Sequence, residues 1–564
     1  MAVTTQVGHL AGHLVGHLDS LAVGAMKMVR VDGHRLCLVR TSEGVFAIDH
    51  ACPHEGYGLT QGELDGDLLT CAWHNWKFRV SDGECVLGEE NVRTHEATVA
   101  EDGAISVTLS RPDPAALRPQ LLDSMRRGIE NDYIGQVSRD VVRLLQHSAN
   151  PGELIWEAVA YGAPRAEFGW GHAIASATDC LSMMHLYDGD QRALPIVQGI
   201  AGIAEEERGR PVNPLPRPAT IAFATQAAIA FATQAADLGT DPAADFRRYV
   251  EAEQIEPAQS VLLGAIEAGW DADAIRPWFT GIVSDHHLSY GHAAIYSQKA
   301  FQLLDMIGWD RASTVLPHLV PTIVYGTRED KLPYMRPFVR ALRELDLDEL
   351  AGVEPDAGWQ DDGRLLEALL GEGRVEPLHA AVAALRAGAG IDRVLDVVVG
   401  AVSERMLRYE PAGEFDFHDD FGWLDITHGI TYANAVRWHT SRLPGPDSVR
   451  LALWCVFQAN WTGRHEWHTG VGRRVDIEPR SDDLRTYGEA LQREALLDGT
   501  TAFIVHAHAV KTSVAATEEA VRSGSSAPLD AVARFMAEPR LERFVAATVT
   551  RSIDFLNGKV RRDD

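Results

Sequence analysis

Two short segments near the beginning of the chain each combine a cysteine with a histidine. They are Cys52-Pro53-His54 and Cys71-Ala72-Trp73-His74, with 16 residues between them. Thiolates and imidazoles are side chains that bind iron and zinc in proteins. The pattern C-x-H followed by C-x-x-H therefore predicts a metal centre whose ligands come from two adjacent loops. It constrains the surrounding chain to a fold that places both loops side by side.

The residues around these segments have the pattern of a small all-β unit. From 21 to 109, short apolar runs alternate with turn signals. The strand candidates include 26–31, 36–40 and 45–48, and the turn signals are Asp32-Gly33, Ser42-Glu43-Gly44 and Asp82-Gly83. Regularly spaced strands of this kind predict a small antiparallel barrel or sandwich, with each Cys/His segment between two strands.

The segments AIDHACPHEGYGLTQGEL and LLTCAWHNWKFRVSDGEC resemble Rieske ferredoxins and the Rieske domains of ring-hydroxylating oxygenases. The resemblance implies a [2Fe–2S] cluster with Cys52 and Cys71 on one iron and His54 and His74 on the other. The alternative is a zinc site with two cysteines and two histidines. Zinc fingers usually show closely spaced cysteine pairs and carry their histidines on a helix, so the sequence favours the iron–sulfur cluster.

Rieske proteins of the respiratory type carry an additional cysteine in each cluster loop, and the two form a disulfide. This chain has Tyr57 and Trp73 at the corresponding positions. The resemblance therefore implies a low-potential cluster of the ferredoxin and oxygenase type. Such a cluster would accept single electrons from an NAD(P)H-dependent reductase or a ferredoxin and pass them on through His54 and His74. Because no phosphate-binding loop or dinucleotide fingerprint is recognisable, we expect the reductase to be a separate protein.

The length of 564 residues predicts two or more domains. We expect an extension at 1–20, a Rieske domain at 21–110, a linker with the first helices at 111–150 and a helical candidate catalytic domain at 151–564. The fold class is thus multidomain α+β, with a small antiparallel β domain followed by a large all-α domain of helical repeats. In the extension, His9, His13 and His17 could form a chance metal site on a helix, although a flexible or weakly helical segment is favoured.

Composition narrows the partners of the chain. A formal net charge of −28 argues against nucleic acid and against an anionic membrane surface. The six cysteines are too sparse for a disulfide scaffold, and no export signal or membrane span is recognisable, so we expect a cytoplasmic protein. The expected partners are the electron donor, O₂ and a small-molecule substrate, and a homo-oligomer is compatible with the sequence.

Histidines and glutamates recur at similar spacing in the helical region. Gly169-Trp170-Gly171-His172 resembles Ser289-Tyr290-Gly291-His292, and a looser third copy contains His428. A glutamate follows each histidine after 35 to 38 residues; the three are Glu207, Glu329 and Glu466. Such spacing fits helix–turn–helix units whose equivalent faces converge. Inward-pointing histidines and glutamates bind non-haem iron in helix bundles, so these six residues are candidate ligands of a mono- or dinuclear iron site.

Other residues of the helical region bear on this hypothesis. Glu167 and His287 could add ligands, and His506 and His508 form a further histidine segment. Trp170, Tyr290 and Trp423 are candidate pocket walls, although core packing is the ordinary role of such side chains. The alternative to a metal site is that each histidine caps a helix or hydrogen-bonds within a repeat while the glutamates pair with arginines.

Two fragments of the helical region, YGHAAIYSQKAF and VHAHAVKT, resemble questin-oxidase-like proteins, which are all-helical oxygenation enzymes containing histidines. The helix-grip domain of the usual Rieske oxygenases is not recognisable. The leading hypothesis is a Rieske-type non-haem iron oxygenase whose [2Fe–2S] cluster passes electrons to a His/Glu site that activates O₂ to oxidise a small organic substrate. The alternative is a Rieske ferredoxin-like electron carrier with a metal-free helical docking or oligomerisation domain.

Overall fold

A computed structural model describes residues 12–88, 90–110, 114–221, 241–415, 421–497 and 502–538, together with 549, 552, 553 and 557. The chain divides into two compact units, residues 1–149 and 150–564. The first unit contains two β-sheets followed by two helices, and the second is built from helices. The predicted order of a small antiparallel β domain and a large helical region is confirmed.

The strands of the first unit form two antiparallel sheets. The larger sheet has the order β1-β10-β9-β4-β3-β2 and the smaller sheet the order β5-β6-β7-β8. The strands are β1 (His13–His17), β2 (Met26–Val31), β3 (His34–Arg40), β4 (Val45–Asp49), β5 (Glu63–Asp65), β6 (Leu68–Thr70), β7 (Lys77–Arg79), β8 (Cys85–Leu87), β9 (Thr94–Val99) and β10 (Ala104–Thr108). Asp32 and Gly33, both with positive φ, form the tight turn between β2 and β3 that the sequence predicts.

Strand β3 is the centre of this unit because its side chains are buried on both faces. Leu36 and Leu38 belong to one apolar cluster, whereas Cys37 between them belongs to the other, as the two-residue period of a strand requires. The apolar cluster that contains Cys37 also contains Cys52 and Cys71. The two Cys/His segments are therefore anchored in the hydrophobic core.

The expectation of a flexible or weakly helical extension is wrong for His13–His17, which form β1 and pair with β10. Val15 and Leu18 pack against the core cluster of the larger sheet, and this burial together with the strand hydrogen bonds outweighs a weak local preference. His13 and His17 do not share a site, and His9 lies outside the described residues. His13 Nε2 lies 3.2 Å from Asp32 Oδ2, and His17 Nε2 lies 2.5 Å from the Asp102 carbonyl oxygen.

Two helices complete the first unit, α1 (Pro114–Asn131) and α2 (Ile134–Gln146), and they pack against each other. The helices of the second unit are α3 (Pro151–Gly162), α4 (His172–Ser182), α5 (Ala193–Glu207), α6 (Pro242–Glu251), α7 (Ile255–Glu267), α8 (Ala272–Asp285), α9 (His292–Ile307), α10 (Ala312–Val315), α11 (Val320–Tyr325), α12 (Arg336–Arg343), α13 (Leu347–Ala351), α14 (Arg364–Leu370), α15 (Glu376–Arg386), α16 (Gly390–Leu407), α17 (Trp423–Thr440), α18 (Pro446–Trp461), α19 (Arg464–Thr469), α20 (Leu484–Ala495), α21 (Phe503–Ser523) and α22 (Ala527–Ala537). None of the helices described here is long and apolar enough to cross a membrane.

The second unit is organised around α17. Of its 18 residues, 16 are buried, so this helix is surrounded by others on all sides. Four helices touch one another in a closed ring, because α4 packs on α9, α9 on α17, α17 on α21 and α21 on α4. This ring brings side chains that are far apart in the sequence to a common interior.

Two candidate metal centres

The two Cys/His segments of the first unit adopt the same loop geometry. In each loop the backbone N–H of the cysteine donates to the carbonyl five residues later, and the carbonyl of the cysteine accepts from the N–H four residues later. The bonds are Cys52 N to Tyr57 O, 2.8 Å; Gly56 N to Cys52 O, 2.8 Å; Cys71 N to Trp76 O, 2.8 Å; and Asn75 N to Cys71 O, 3.1 Å. Gly56 and Asn75 occupy equivalent positions with φ values of 78° and 60°, which glycine and asparagine tolerate.

These loops bring the four predicted cluster ligands together. Cys52 and Cys71 are 2% and 1% exposed, and their thiols interact with each other. The Nδ1 atoms of His54 and His74 lie 3.0 Å apart, and both histidines are more exposed than the cysteines. Two buried sulfurs and two outward imidazoles fit a [2Fe–2S] cluster with the thiolates on the inner iron and the imidazoles on the outer iron.

Aromatic side chains surround the two histidines. The Trp76 ring stacks on the His54 ring at 4.7 Å. Tyr57 and Trp73 stack on each other at 4.1 Å, and Trp73 remains 54% exposed while its indole N–H donates to Gln61 Oε1 at 3.1 Å. The positions at which the respiratory type has its disulfide are therefore occupied by a partly exposed aromatic pair.

A second group of histidines lies inside the helical unit. His172, His292, His428 and His508 come from α4, α9, α17 and α21, the four helices of the ring. His292 Nε2 lies 2.9 Å from His428 Nε2 and 3.2 Å from His172 Nε2. His428 Nε2 also lies 3.2 Å from His508 Nε2. We call these four residues the four-histidine cluster.

The hydrogen bonds of the outer ring nitrogens show which way the imidazoles are protonated. His292 Nδ1 lies 2.5 Å from the Ser289 carbonyl, and His508 Nδ1 lies 2.7 Å from the Ile504 carbonyl. Because a carbonyl only accepts, the single N–H of each neutral ring is on Nδ1, and each Nε2 presents a lone pair to the interior. His428 Nε2 lies between them and can donate to only one of the two.

At least two of the four inward nitrogens, His292 Nε2 and His508 Nε2, therefore present lone pairs, which a metal cation can bind. Two nitrogen ligands at about 2.1 Å from one metal and at a right angle to each other are about 3.0 Å apart, close to the separations observed. Imidazole nitrogens bind zinc, copper, iron and nickel. His172, His428 and His508 each offer a ring nitrogen within 4.8 Å of the other two, a grouping that fits one divalent transition-metal ion, and His292 Nε2 lies beside it.

The electrostatic surroundings keep these imidazoles neutral and able to bind a metal. Burial holds the pKa of His172, His428 and His508 well below the usual value and lowers that of His292 to about 3. Lys511 lies one turn after His508 on α21 and is 2% exposed, and its Nζ has no hydrogen-bond partner among the described residues. Burial lowers the pKa of Lys511 to about 7.

Tyr296 supports the cluster from α9, one turn after His292. Its hydroxyl lies 3.1 Å from His172 Nδ1, and its ring is 4% exposed. Side chains that hold the outer nitrogen of a histidine ligand fix the ring orientation and the tautomer. The hydroxyl orients the His172 ring, and where it accepts from Nδ1–H it leaves Nε2 free for a metal, as the backbone carbonyls do for His292 and His508.

The predicted glutamates do not join the four-histidine cluster. Both carboxylate oxygens of Glu466 bind arginines, with Arg405 Nη1 at 2.6 Å and Arg408 Nε at 2.6 Å. Glu207 is 1% exposed near Arg210, and burial raises the pKa of its carboxyl to about 7. Glu329 pairs with a different histidine, His287, at 2.6 Å.

The comparisons with known proteins agree with the geometry of the first centre. Residues 12–99 match the family described as Rieske [2Fe-2S] domain. This segment is a Rieske domain. Cholesterol 7-desaturase nvd of Xenopus laevis is 40% identical over 72 residues, which are 12% of this chain and 16% of that protein. The ferredoxin component of the alkene monooxygenase system of Xanthobacter autotrophicus is 35% identical over 68 residues, 12% of this chain and 56% of that protein.

A solved structure, the ferredoxin of carbazole 1,9a-dioxygenase from Nocardioides aromaticivorans IC177, is 26% identical and covers 18% of this chain and all of that one, with a TM-score of 0.17. This chain spans about a sixth of the desaturase and about half of the alkene monooxygenase ferredoxin. The Rieske domain, which implies a [2Fe–2S] cluster, therefore has relatives both among oxidoreductases and among ferredoxin components of oxygenase systems.

The other residues proposed from sequence lie in different surroundings. The structure brings His172, His292 and His428 together, but Glu167 is exposed and His287 lies in the separate pair with Glu329. Of the candidate pocket walls, Tyr290 lies parallel to the His428 ring at 6.2 Å. Trp170 and Trp423 are core residues; the Trp170 indole donates to Val315 O at 3.1 Å, and Trp423 packs against Tyr409 at 4.6 Å.

His508 completes the cluster, although the sequence indicated only a histidine segment around it. A signal was available in the sequence of α21, whose first half is rich in small and apolar residues and of whose 21 residues 14 are buried. His508 and Lys511 interrupt it three residues apart, on one face. Buried ionisable residues in an apolar helix indicate a functional site more strongly than their spacing to a distant glutamate does.

Proposed function

We propose that this chain is a Rieske-type non-haem iron oxygenase in which the four-histidine cluster holds one iron ion. The observation that supports the proposal most strongly is the grouping of His172, His428 and His508, with His292 Nε2 beside them, in a chain that also carries a Rieske domain. Zinc would also suit four imidazoles, but zinc has no redox chemistry and could not use the electrons that a Rieske cluster delivers. The proposed ligands are His172, His292, His428 and His508, without the glutamates.

When bound, the [2Fe–2S] cluster of the Rieske domain would supply single electrons, and the iron held by the four-histidine cluster would supply the site of O₂ activation. The protein contributes a neutral imidazole set and ring orientations held by Tyr296 and by backbone carbonyls. The electron donor in this proposal is an NAD(P)H-dependent reductase or a ferredoxin, and the substrate is a small organic molecule. Relatives named as a desaturase and as a monooxygenase ferredoxin support oxygen-dependent chemistry.

Iron content and EPR of the purified holoprotein test this proposal. We expect about three irons per chain, two from the Rieske cluster and one from the helical unit. His428→Gln should remove the helical iron and leave the EPR signal of the reduced cluster unchanged. His74→Ala should remove the EPR signal of the reduced [2Fe–2S] cluster and leave the iron of the helical unit in place. His439→Gln is the matched control, because His439 is a buried histidine on the same helix that hydrogen-bonds to Thr280 and to the Ala294 carbonyl.

An iron content of about two per wild-type chain, unaffected by His428→Gln, would contradict the oxygenase proposal. That result would instead favour a Rieske ferredoxin-like carrier with a metal-free helical domain, for which the similarity to a ferredoxin component is the supporting observation. If the helical iron is found, nitric oxide binding to the reduced protein then tests for a coordination position open to O₂. A nitrosyl EPR signal is expected in the wild type and in His439→Gln but not in His428→Gln.

A further inference from the structure

The segment that leads into α9 has an unusual backbone. Ser289, Tyr290 and Gly291 have φ values of 47°, 56° and 88°, so three consecutive residues are left-handed. Serine and tyrosine adopt this conformation only where the surroundings enforce it. At Gly291 a side chain is also excluded by space, because a Cβ atom would lie 2.4 Å from the Tyr432 ring.

This left-handed turn sets the position of His292. His292 is the first residue of α9, directly after Gly291. Its Nδ1 lies 2.5 Å from the carbonyl oxygen of Ser289, which belongs to the same turn. The turn therefore determines both where the imidazole lies and which nitrogen is free for a metal.

The carboxylate of Glu329 holds the turn in place. Its Oε1 accepts a hydrogen bond from the backbone N–H of Tyr290 at 2.9 Å, and its Oε2 lies 2.6 Å from His287 Nδ1. Glu329 is 1% exposed, and His287 is fully buried. Since Oε1 binds the backbone of the turn and Oε2 faces His287, Glu329 acts on the cluster through the backbone.

Further hydrogen bonds join the same two stretches of chain, residues 287–290 and 327–329, which we call the clasp. Leu288 and Arg328 form a β-bridge. The other bonds are Ser289 N to Thr327 O, 3.0 Å; Thr327 N to Ser289 Oγ, 2.7 Å; and Glu329 N to His287 O, 3.1 Å. These bonds fix the stretches side by side, and the Glu329 carboxylate is the contact that reaches Tyr290 inside the left-handed turn.

We propose that Glu329 is a positioning residue of the four-histidine cluster, which holds the left-handed turn so that His292 Nε2 points at the metal. The inference rests on the proposed function. It assigns Glu329 a role other than metal ligation, and it predicts that the clasp is already formed before metal binds.

A similar arrangement occurs at another helix of the ring. The Glu206 carboxylate accepts from the backbone N–H of Ala173 at 3.0 Å, at the beginning of α4 and next to His172. In both places a carboxylate thus accepts from a backbone N–H within two residues of a cluster histidine, at the beginning of its helix. The recurrence supports a positioning role, because neither carboxylate needs to reach the metal to perform it.

Two measurements on the full chain, with its Rieske cluster intact, test the role of Glu329. The first is hydrogen exchange of the peptide covering residues 286–293 after a chelator has emptied the helical site. The second is titration of that site with Co²⁺, followed by its visible absorption. The variants are Glu329→Ala and Glu329→Gln. The control is Glu466→Gln, which removes a carboxylate that binds Arg405 and Arg408 and so shows what a loss of stability elsewhere in the same unit does to both measurements.

We expect Glu329→Ala to speed exchange in the 286–293 peptide at least tenfold and to weaken Co²⁺ binding by about 10–100-fold, with an altered absorption spectrum. Glu329→Gln keeps an amide oxygen for the Tyr290 N–H and should stay within about threefold of the wild type in both measurements. Exchange that is unchanged in Glu329→Ala would overturn the inference. So would equal losses of Co²⁺ binding in both variants without a change in exchange, because a ligand needs the carboxylate itself.

The two proposals can fail separately. If the wild type binds no Co²⁺, the iron site of the proposed function is wrong, while the exchange data still decide whether Glu329 holds the turn. A double-mutant cycle covers the case in which Glu329→Ala folds poorly. Glycine adopts positive φ freely, so Glu329→Ala should speed exchange less in a Tyr290→Gly background than in the wild type. Equal effects in both backgrounds would contradict a role in holding the left-handed turn.

Discussion

The two histidine centres of this chain are built in opposite ways. In the Rieske domain, His54 and His74 are 20 residues apart in two hairpin-like loops, and the His74 side chain is 40% exposed. In the helical unit, His172 and His508 are separated by more than 300 residues, and of the four imidazoles, which come from four helices, His428 and His508 are buried and His172 and His292 half-buried. One centre is local and open to solvent, and the other is non-local and largely enclosed.

This difference matches what each centre is proposed to do. A centre that exchanges electrons with a partner protein benefits from histidine edges at the surface, because the transfer requires close approach. A centre that activates O₂ benefits from burial, because excluded water cannot intercept reactive species or weaken the electrostatic environment. The comparison predicts that substitutions in one unit change its own centre and leave the other centre intact.

The largest expected effect comes from the ligand that the sequence left unassigned. His508→Gln should lower the metal affinity of the helical site by roughly 100-fold or more, because it removes one of four imidazoles. Metal titration of the full chain, with the visible absorption of the Rieske cluster recorded in parallel, measures this. His506→Gln, two residues earlier on α21, is the matched control and should stay within about threefold of the wild type. Equal affinities in the two variants would remove His508 from the ligand set.

The same contrast between local and non-local construction explains how much of the molecule the sequence predicts. The Rieske ligands could be assigned because C-x-H and C-x-x-H are short patterns and the Asp32-Gly33 turn is a local signal. His172, His292 and His428 could be grouped only because similar residues surround them. The glutamate spacing, by contrast, led to carboxylates that hold backbone or arginines, since sequence separation does not show which direction a side chain takes.

β1 was missed for a related physical reason. The Gly-His-Leu triplets carry no strand pattern of their own, and Leu14 is 71% exposed. The segment becomes a strand because the edge of β10 offers backbone hydrogen bonds and because Val15 packs on the core. Such pairing depends on residues about 90 positions away, which local propensity does not contain.

A smaller effect is expected at Glu466, the candidate ligand that the structure places between two arginines. Glu466→Gln should leave metal affinity unchanged but lower the free energy of unfolding of the helical unit by about 3 kcal/mol, because Arg405 would keep a buried charge without its partner. Arg405 is 1% exposed, and although burial lowers its pKa to about 10, it stays protonated at neutral pH. Urea unfolding followed by far-UV circular dichroism, beside Co²⁺ titration, measures both quantities. A loss of metal binding without a loss of stability would return Glu466 to the ligand set.

The smallest effect concerns a buried carboxylate of the Rieske unit that, unlike Glu466, is poorly paired. Asp140 on α2 is fully buried, its Oδ1 lies 3.4 Å from Arg143, and its Oδ2 has no hydrogen-bond partner among the described residues. Burial raises its pKa to about 6, above the unfolded value of about 3.9. The ionised form is therefore less favourable in the folded protein, and the resulting destabilisation grows as the pH rises from about 4 to about 6 and is constant above.

Asp140→Asn should accordingly raise the stability of the Rieske unit by about 1–3 kcal/mol at pH 7.5 and by about half as much at pH 5. The visible circular dichroism of the cluster during urea unfolding reports on this unit alone, because the helical unit has no iron–sulfur chromophore in the proposed arrangement. Asp123→Asn is the control, since Asp123 is an exposed carboxylate on α1 that pairs with Arg127 and should show little change. A gain that is equal at both pH values would mean that the Asp140 charge is not its cause, and a gain in both variants would point to overall charge rather than to burial.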